Sequence, residues 1–114
     1  MRIEVRGRNT EVTAELEDAI RKRFKRIGRQ VSELATLDVE LCEEKNPRIA
    51  DKYVAEATLR LKGTTIRAKE ASPEMLGSIH QLAEDVRRQV KKNRELRRHR
   101  NESRRFARLR KREA

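Results

Sequence analysis

The residues of this chain that could do chemistry are its cations. Of 114 residues, 30 are Lys or Arg and 19 are Asp or Glu, which leaves a net charge of +11. Arg21, Lys22, Lys25, Arg26 and Arg29 fall on one side of a helical repeat, and the run Arg87-Arg88-Gln89-Val90-Lys91-Lys92-Asn93-Arg94 leads on to Arg97 and Arg98. Cations repeated at three- and four-residue steps can contact successive phosphates, so the implied partner is a nucleic acid. Other chemistries lack their residues. The four glycines, Gly7, Gly28, Gly63 and Gly77, are too scattered for a phosphate loop, no HExxH or CxxC occurs, and no Ser/His/Asp or Cys/His set can be argued. His80 and His99 have no metal-ligand spacing, and Cys42 stands alone. The expectation is a binding protein with no catalytic residues, no metal and no cofactor. In it His80 is a boundary histidine of a helix, His99 a solvated one and Cys42 a reduced thiol.

The charge is unevenly distributed. Residues 91–114 hold 12 Lys and Arg against three acids, a net of +9, while the 90 residues before them carry only +2. Nearly all the apolar residues that could build a core also precede this segment. The chain therefore divides into a domain over 1–94 and an arginine-rich tail over 95–114. A domain of this size buries only a little over 60% of its unfolded surface, so its core must be compact. No apolar run approaches the ~18 residues of a membrane span, and the first 12 residues lack the apolar stretch of an export signal. A soluble cytoplasmic protein with no membrane partner is expected.

The elements that must position the cations are legible in the periodicity. Ile3 and Val5 alternate with charge across Arg2 to Arg8, as a half-buried strand does. Thr13 can cap a helix whose apolar positions Leu16, Ile20, Phe24, Ile27 and Val31 recur at steps of three or four; Gly28 either ends or interrupts it. Leu37, Val39 and Leu41 mark a second strand, and Tyr53, Ala55, Ala57, Leu59 and Leu61 share the inward parity of a third. Gly63 marks a tight turn into a fourth strand over Thr64 to Lys69. Ser72-Pro73 reads as a cap followed by proline at the first helical position. The second helix then has a stripe of Leu76, Ile79, Ala83, Val86 and Val90, with Met75 in core register. The fold expected is α+β, a two-layer β-α-β-β-β-α sandwich in which two helices cover one face of a four-stranded sheet.

This order also constrains how RNA could be read. Single-strand readers of the RRM type stack bases on exposed sheet aromatics, and the only sheet aromatic, Tyr53, has inward parity. Double-stranded RNA domains lack the leading strand and open their second helix with a basic cluster, whereas Ser72-Pro73-Glu74-Met75-Leu76-Gly77-Ser78 contains no base. A reader of backbone and shape in folded RNA is the remaining description. Two rivals stand beside it: an RNA chaperone or nucleoid-type DNA binder driven by charge alone, and a structural ribosomal protein with a basic extension.

Over roughly residues 1–95 the chain resembles the hibernation-promoting factor and ribosome-associated inhibitor A family. The resemblance is carried by Ile3-Glu4-Val5-Arg6-Gly7-Arg8-Asn9, Glu11-Val12-Thr13, the Leu37/Val39/Leu41 strand, Ala55-Glu56-Ala57-Thr58-Leu59, Ile66-Arg67-Ala68, and Arg88-Gln89-Val90 with Lys92 and Arg94. At the start of the second helix the family commonly shows Asp-x-Tyr-x-x-Ile-Asp, where this chain has Glu74-Met75-Leu76-Gly77-Ser78-Ile79-His80. The resemblance implies a protein that binds the small ribosomal subunit through 16S rRNA, between head and body, and competes with mRNA and tRNA. It implies a steric inhibitor of idle ribosomes, monomeric when free, with no small-molecule substrate. Carried over by position, the contacts are Arg88, Lys92 and Arg94. Arg21, Lys22, Lys25, Arg26 and Arg29 are added from the helical face, with Arg87, Lys91, Arg97 and Arg98 from the basic run. The tail has no Gly or Pro from Val90 to Arg112, yet its like charges oppose a helix in water. It is expected to be largely disordered when free and ordered against ribosomal RNA.

Overall fold

The computed structural model describes residues 1–113, with side chains through residue 109. Its elements are β1 (Arg2–Arg8), α1 (Ala14–Gln30), β2 (Thr36–Glu43), β3 (Tyr53–Leu61), β4 (Thr64–Ser72) and α2 (Met75–Glu113). The strands form one sheet in the order β1-β2-β3-β4, with β1 parallel to β2 and the other two pairs antiparallel. The order is the one read from the periodicity.

Each element forms for a local reason. Gly7 lies one residue before the end of β1, where a Cβ would be 2.4 Å from the Thr10 carbonyl oxygen, so only glycine allows the chain to fold back toward α1. Thr13 then accepts a hydrogen bond from the Leu16 amide at 3.2 Å and caps α1. α1 runs through Gly28 to Gln30, and Val31 is its extended C-cap. In β2 and β3 the alternation is regular: Leu37, Val39 and Leu41 lie opposite Leu59, Ala57 and Ala55, and all six are buried. Gly63 takes φ +79° at the β3–β4 turn, a backbone region that side chains disfavour.

The core is the seam between the two layers. Ile20, Phe24 and Ile27 of α1, together with Ile79, Leu82, Val86 and Val90 of α2, cover one face of the sheet. The other face is polar and charged, with Glu56, Arg60 and Arg67 exposed and Cys42 half-buried.

The start of α2 differs from the expectation. Ser72 is the last residue of β4, paired with Tyr53 in the ladder; its hydroxyl accepts from the Glu74 amide at 3.3 Å, but the first helical bond starts at Glu74, so Pro73 precedes the helix rather than opening it. The Ser78 amide bonds to the Glu74 carbonyl oxygen, which places the first turn two residues later. The Ser72 hydroxyl meets that of Ser78 at 2.9 Å, and Ser78 also donates to the Tyr53 carbonyl oxygen, so two buried hydroxyls tie the helix start to the sheet. Of the expected stripe, Ile79, Ala83, Val86 and Val90 are buried and Leu82 joins them, whereas Leu76 is 44% exposed and His80 stands exposed.

The tail differs too. α2 is one 39-residue helix that passes residues 90–95 without a break, so the expected disorder of the free tail is not found among the described residues. The physical reason is nucleation. A helix already anchored through Val90 adds one hydrogen bond for each further residue, and the cost of a first turn, which makes an isolated helix marginal, does not recur. The chain is accordingly long, 68 Å on its major axis, with a radius of gyration of 18.1 Å. A compact domain of this length has ~13 Å.

The buried stripe makes a direct test. Leu82→Ala is expected to lower the unfolding free energy by ~2–5 kcal/mol, against less than about 1 kcal/mol for Leu76→Ala. Urea titration of both variants measures this, and equal losses would contradict the observed roll of α2.

Candidate nucleic-acid interface

The direction of the two helices follows from the sheet. β1, β2 and β4 all run one way, α1 returns from the end of β1 to the start of β2, and α2 returns along β4, where Gln89 Nε2 donates to the Arg67 carbonyl oxygen at 3.0 Å. α1 and α2 are therefore parallel neighbours. Their basic residues lie side by side along one layer.

Between them runs an open groove of about 710 Å³. Lys22, Arg23, Arg26 and Arg87 line it together with Glu15, Asp18, Glu84 and the exposed Leu76. Of the expected contacts, the groove thus takes in Lys22, Arg26 and Arg87. At about 100° per residue, Arg21 and Lys25 sit on the flank of α1 turned away from α2, and Arg29 lies at its crest. On α2, Lys91, Arg94 and Arg98 continue the groove-side row of Arg87, while Arg88 and Lys92 occupy the crest; all are exposed. Arg97 points to the sheet side, where its guanidinium donates to the Lys62 carbonyl oxygen at 2.9 Å. The expected face is thus brought together in part, with Arg21, Lys25 and Arg97 directed elsewhere.

Arg23 was missed by the sequence reading. It sits among the core positions Ile20, Phe24 and Ile27, and only the position of α2 makes that edge a groove wall. The available signal was its helical angle, which falls on the same side as Arg26.

Acids temper several of these cations. Arg21 pairs with Glu17 at 3.0 Å, Lys22 with Asp18 at 3.1 Å and Arg87 with Glu84 at 3.0 Å. The hydrogen bond from Arg87, and then its charge, hold the Glu84 carboxyl below its ordinary value. Glu84 is therefore ionised at neutral pH; the small contribution of this pair is present above the ordinary carboxylate range and is lost as pH falls through the lowered value. Arg23, Arg26, Arg29, Arg88, Lys91, Lys92 and Arg94 make no ion pair among the described residues. No group of three His, Cys, Asp or Glu residues among those described could hold a metal ion, and no described helix is long and apolar enough to cross a membrane.

Fold and charge together define a small α+β sandwich whose cations gather on the helical layer. Residues 3–98 match the family described as Sigma 54 modulation protein / S30EA ribosomal protein. A ribosome hibernation promotion factor of Picosynechococcus is 33% identical over 96 residues, which cover 83% of this chain and 50% of the relative. The chain thus spans half the length of that protein. A ribosome hibernation promoting factor of Acinetobacter guillouiae is 26% identical over 84% of this chain and 89% of its own length. Among solved structures, the N-terminal domain of Thermus thermophilus Protein Y superposes with a TM-score of 0.68 at 27% identity, covering 81% of this chain and 98% of that domain. A ribosomal subunit interface protein from Coxiella burnetii has the same fold, with a TM-score of 0.71 at 21% identity over 82% of this chain and 98% of its own. The chain belongs to the hibernation-promoting factor family.

Because Asp18 and Glu84 hold groove cations, Asp18→Asn with Glu84→Gln is expected to tighten binding to any polyanion by ~2–5-fold at neutral pH, the scale of exposed ion pairs. Fluorescence anisotropy with a labelled RNA hairpin reads the change, and a weakened complex would show that these acids make contacts of their own.

Proposed function

We propose that this protein is a ribosome hibernation factor: it binds the small ribosomal subunit through 16S rRNA, obstructs the mRNA channel and the tRNA sites, and silences idle ribosomes. The residues 1–94 supply the subunit site, and the helical layer bearing Arg26, Arg29, Arg88, Lys92 and Arg94 is the rRNA-facing surface. The relatives, ribosome hibernation promotion and promoting factors, support the ribosomal setting.

One observation carries the choice of surface. Arg87–Lys91, Arg88–Lys92 and Arg94–Arg98 are like-charge pairs at i,i+4, each unfavourable in a helix by roughly 0.2–0.5 kcal/mol. Cations near a helix C-terminus are offset by the macrodipole, but that effect is confined to the last turn, and α2 continues to Glu113. These pairs therefore sit mid-helix, and of their cations only Arg87 makes an ion pair among the described residues, with Glu84. A phosphate backbone would compensate the others. The mechanism needs no bond to form or break: a rigid 1–94 domain seated on rRNA excludes mRNA and tRNA by volume, and the contacts to backbone rather than base edges suit a fixed RNA shape.

The test is a cell-free translation assay with the full chain. The protein is expected to inhibit, less so when mRNA and initiator tRNA are already bound to the subunit. Arg88→Glu with Lys92→Glu and Arg94→Glu should remove inhibition and keep the fold, since each exposed change costs less than about 0.5 kcal/mol. Undiminished inhibition by the folded variant would refute this surface. Equal affinity for small subunits, large subunits and random duplex would favour binding by charge alone.

A further inference from the structure

Beyond Val90, the last residue of the core, α2 leaves the domain as a bare helix. Residues 96–109 of this arm contain six arginines, no lysine and one acid, Glu102. The arginines are not spread evenly around it. At about 100° per residue, Arg97, Arg104 and Arg108 fall within an arc of about 40°, Arg98 and Arg105 extend the groove-side row of Arg87, and Arg100 lies on the opposite flank. Leu96, Phe106 and Glu102 project from the remaining surface.

The direction of that arc is set by the fold. Arg97, Arg104 and Arg108 continue the line of Val86 and Val90, so the side of α2 that covers the sheet becomes, past the sheet's end, a ridge of guanidinium groups. Arg97 anchors the ridge by its hydrogen bond to the Lys62 carbonyl oxygen in the β3–β4 turn. The arm and the exposed end of the sheet thus form an open corner with arginine along one wall.

We propose that this ridge is a second nucleic-acid site, separate from the groove between α1 and α2, and that its ligand is the phosphate backbone of an RNA duplex. The inference rests on the RNA-binding reading above and adds a distinct surface to it. Arginine's planar fork binds phosphate oxygens in pairs, which lysine's single ammonium does not. From Arg97 to Arg108 the ridge is straight and ~16 Å long, suited to the regular backbone of a duplex rather than to a flexible strand. The ridge carries no aromatic side chain, and Phe106 points the other way, so stacking on unpaired bases is not available there. The apolar residues Leu96, Phe106 and Leu109 lie on the far side within an arc of about 140°, and a lipid surface as the ligand is the outcome that the vesicle measurement below tests.

The test compares arms of identical composition on the full chain. Exchanging neighbours, Ser103→Arg with Arg104→Ser and Ala107→Arg with Arg108→Ala, keeps the net charge, leaves Arg97 in place and moves two arginines about 100° off the ridge. Binding is measured against a 20-base-pair RNA duplex free of ribosomes, with helix content checked by circular dichroism. The exchanged protein should bind the duplex about tenfold more weakly at 100 mM salt, with a log–log salt slope smaller by about two. Should the exchange reduce helix content, Arg104→Gln against Arg100→Gln makes the same comparison with one charge removed from each, and only the first should weaken binding. Equal loss in that pair, or unchanged affinity and slope in the exchanged protein, would overturn the ridge and leave net charge as the cause. Binding of single-stranded RNA or of phosphatidylglycerol vesicles as tight as that of the duplex would overturn the duplex assignment. The ribosome-free duplex keeps this result apart from the subunit reading: loss of translation inhibition with a ridge-dependent duplex affinity would count against that reading alone.

Discussion

The burial of two helical stripes on one face of the sheet is the constraint from which the rest of the molecule follows. Phe24 and Leu82 are fully buried there beside Leu37, Val39, Leu41 and Leu59. Each such side chain contributes on the order of 1.5–3 kcal/mol by leaving water, which is large against a domain's total margin of ~5–15 kcal/mol. Neither helix can therefore roll without exposing a stripe. The roll of α1 sends Lys22, Arg23 and Arg26 toward α2, and the roll of α2 sends Arg87, Lys91 and Arg94 back. Packing of apolar residues thus decides where the cations stand.

The same constraint sorts the charges by cost. On the outer face of the sheet, opposite charges meet: Arg60 pairs with Asp38, and Arg8 lies 3.8 Å from Glu40. Such exposed pairs add little to stability. Along the middle of α2 cations outnumber acids, and only Arg87 is paired there among the described residues, with Glu84. The domain tolerates like charges at i,i+4 because its stability comes from the seam below them, and that tolerance leaves the helical layer available to a polyanion.

The two buried serines show how polar groups can take part in such a seam. Ser78 is fully buried, and its hydroxyl reaches Ser72, the Tyr53 carbonyl oxygen and the Glu74 carbonyl oxygen. A buried hydroxyl without partners would be costly, so these bonds allow α2 to begin directly against β3 and β4. The price of that attachment is a fixed starting phase, because the helix is held to the sheet at its first turn. Every later side chain of α2, to the far end of the arm, takes its direction from there.

Much of this was written in the sequence. The strands were legible in alternation, as in Leu37, Val39 and Leu41, and α1 in its four- and three-residue steps, because local periodicity is a property of the chain itself. The +9 segment, on which the polyanion proposal rests, is likewise a property of the sequence. Three features depended on neighbours distant in the chain. Ser72 looked like the cap, but it stayed in β4 paired with Tyr53 and the helix began after Glu74, and Leu82 rather than Leu76 completed the buried stripe. Arg23, which drew no role from the sequence, became a groove residue only through the position of α2. The tail looked too highly charged to be helical alone, and attachment to a helix already nucleated by the core removed the barrier. Periodicity and charge are local and additive, so one strand of text carries them; phase, proximity and nucleation arise only when separate elements pack, and these the tertiary structure decided.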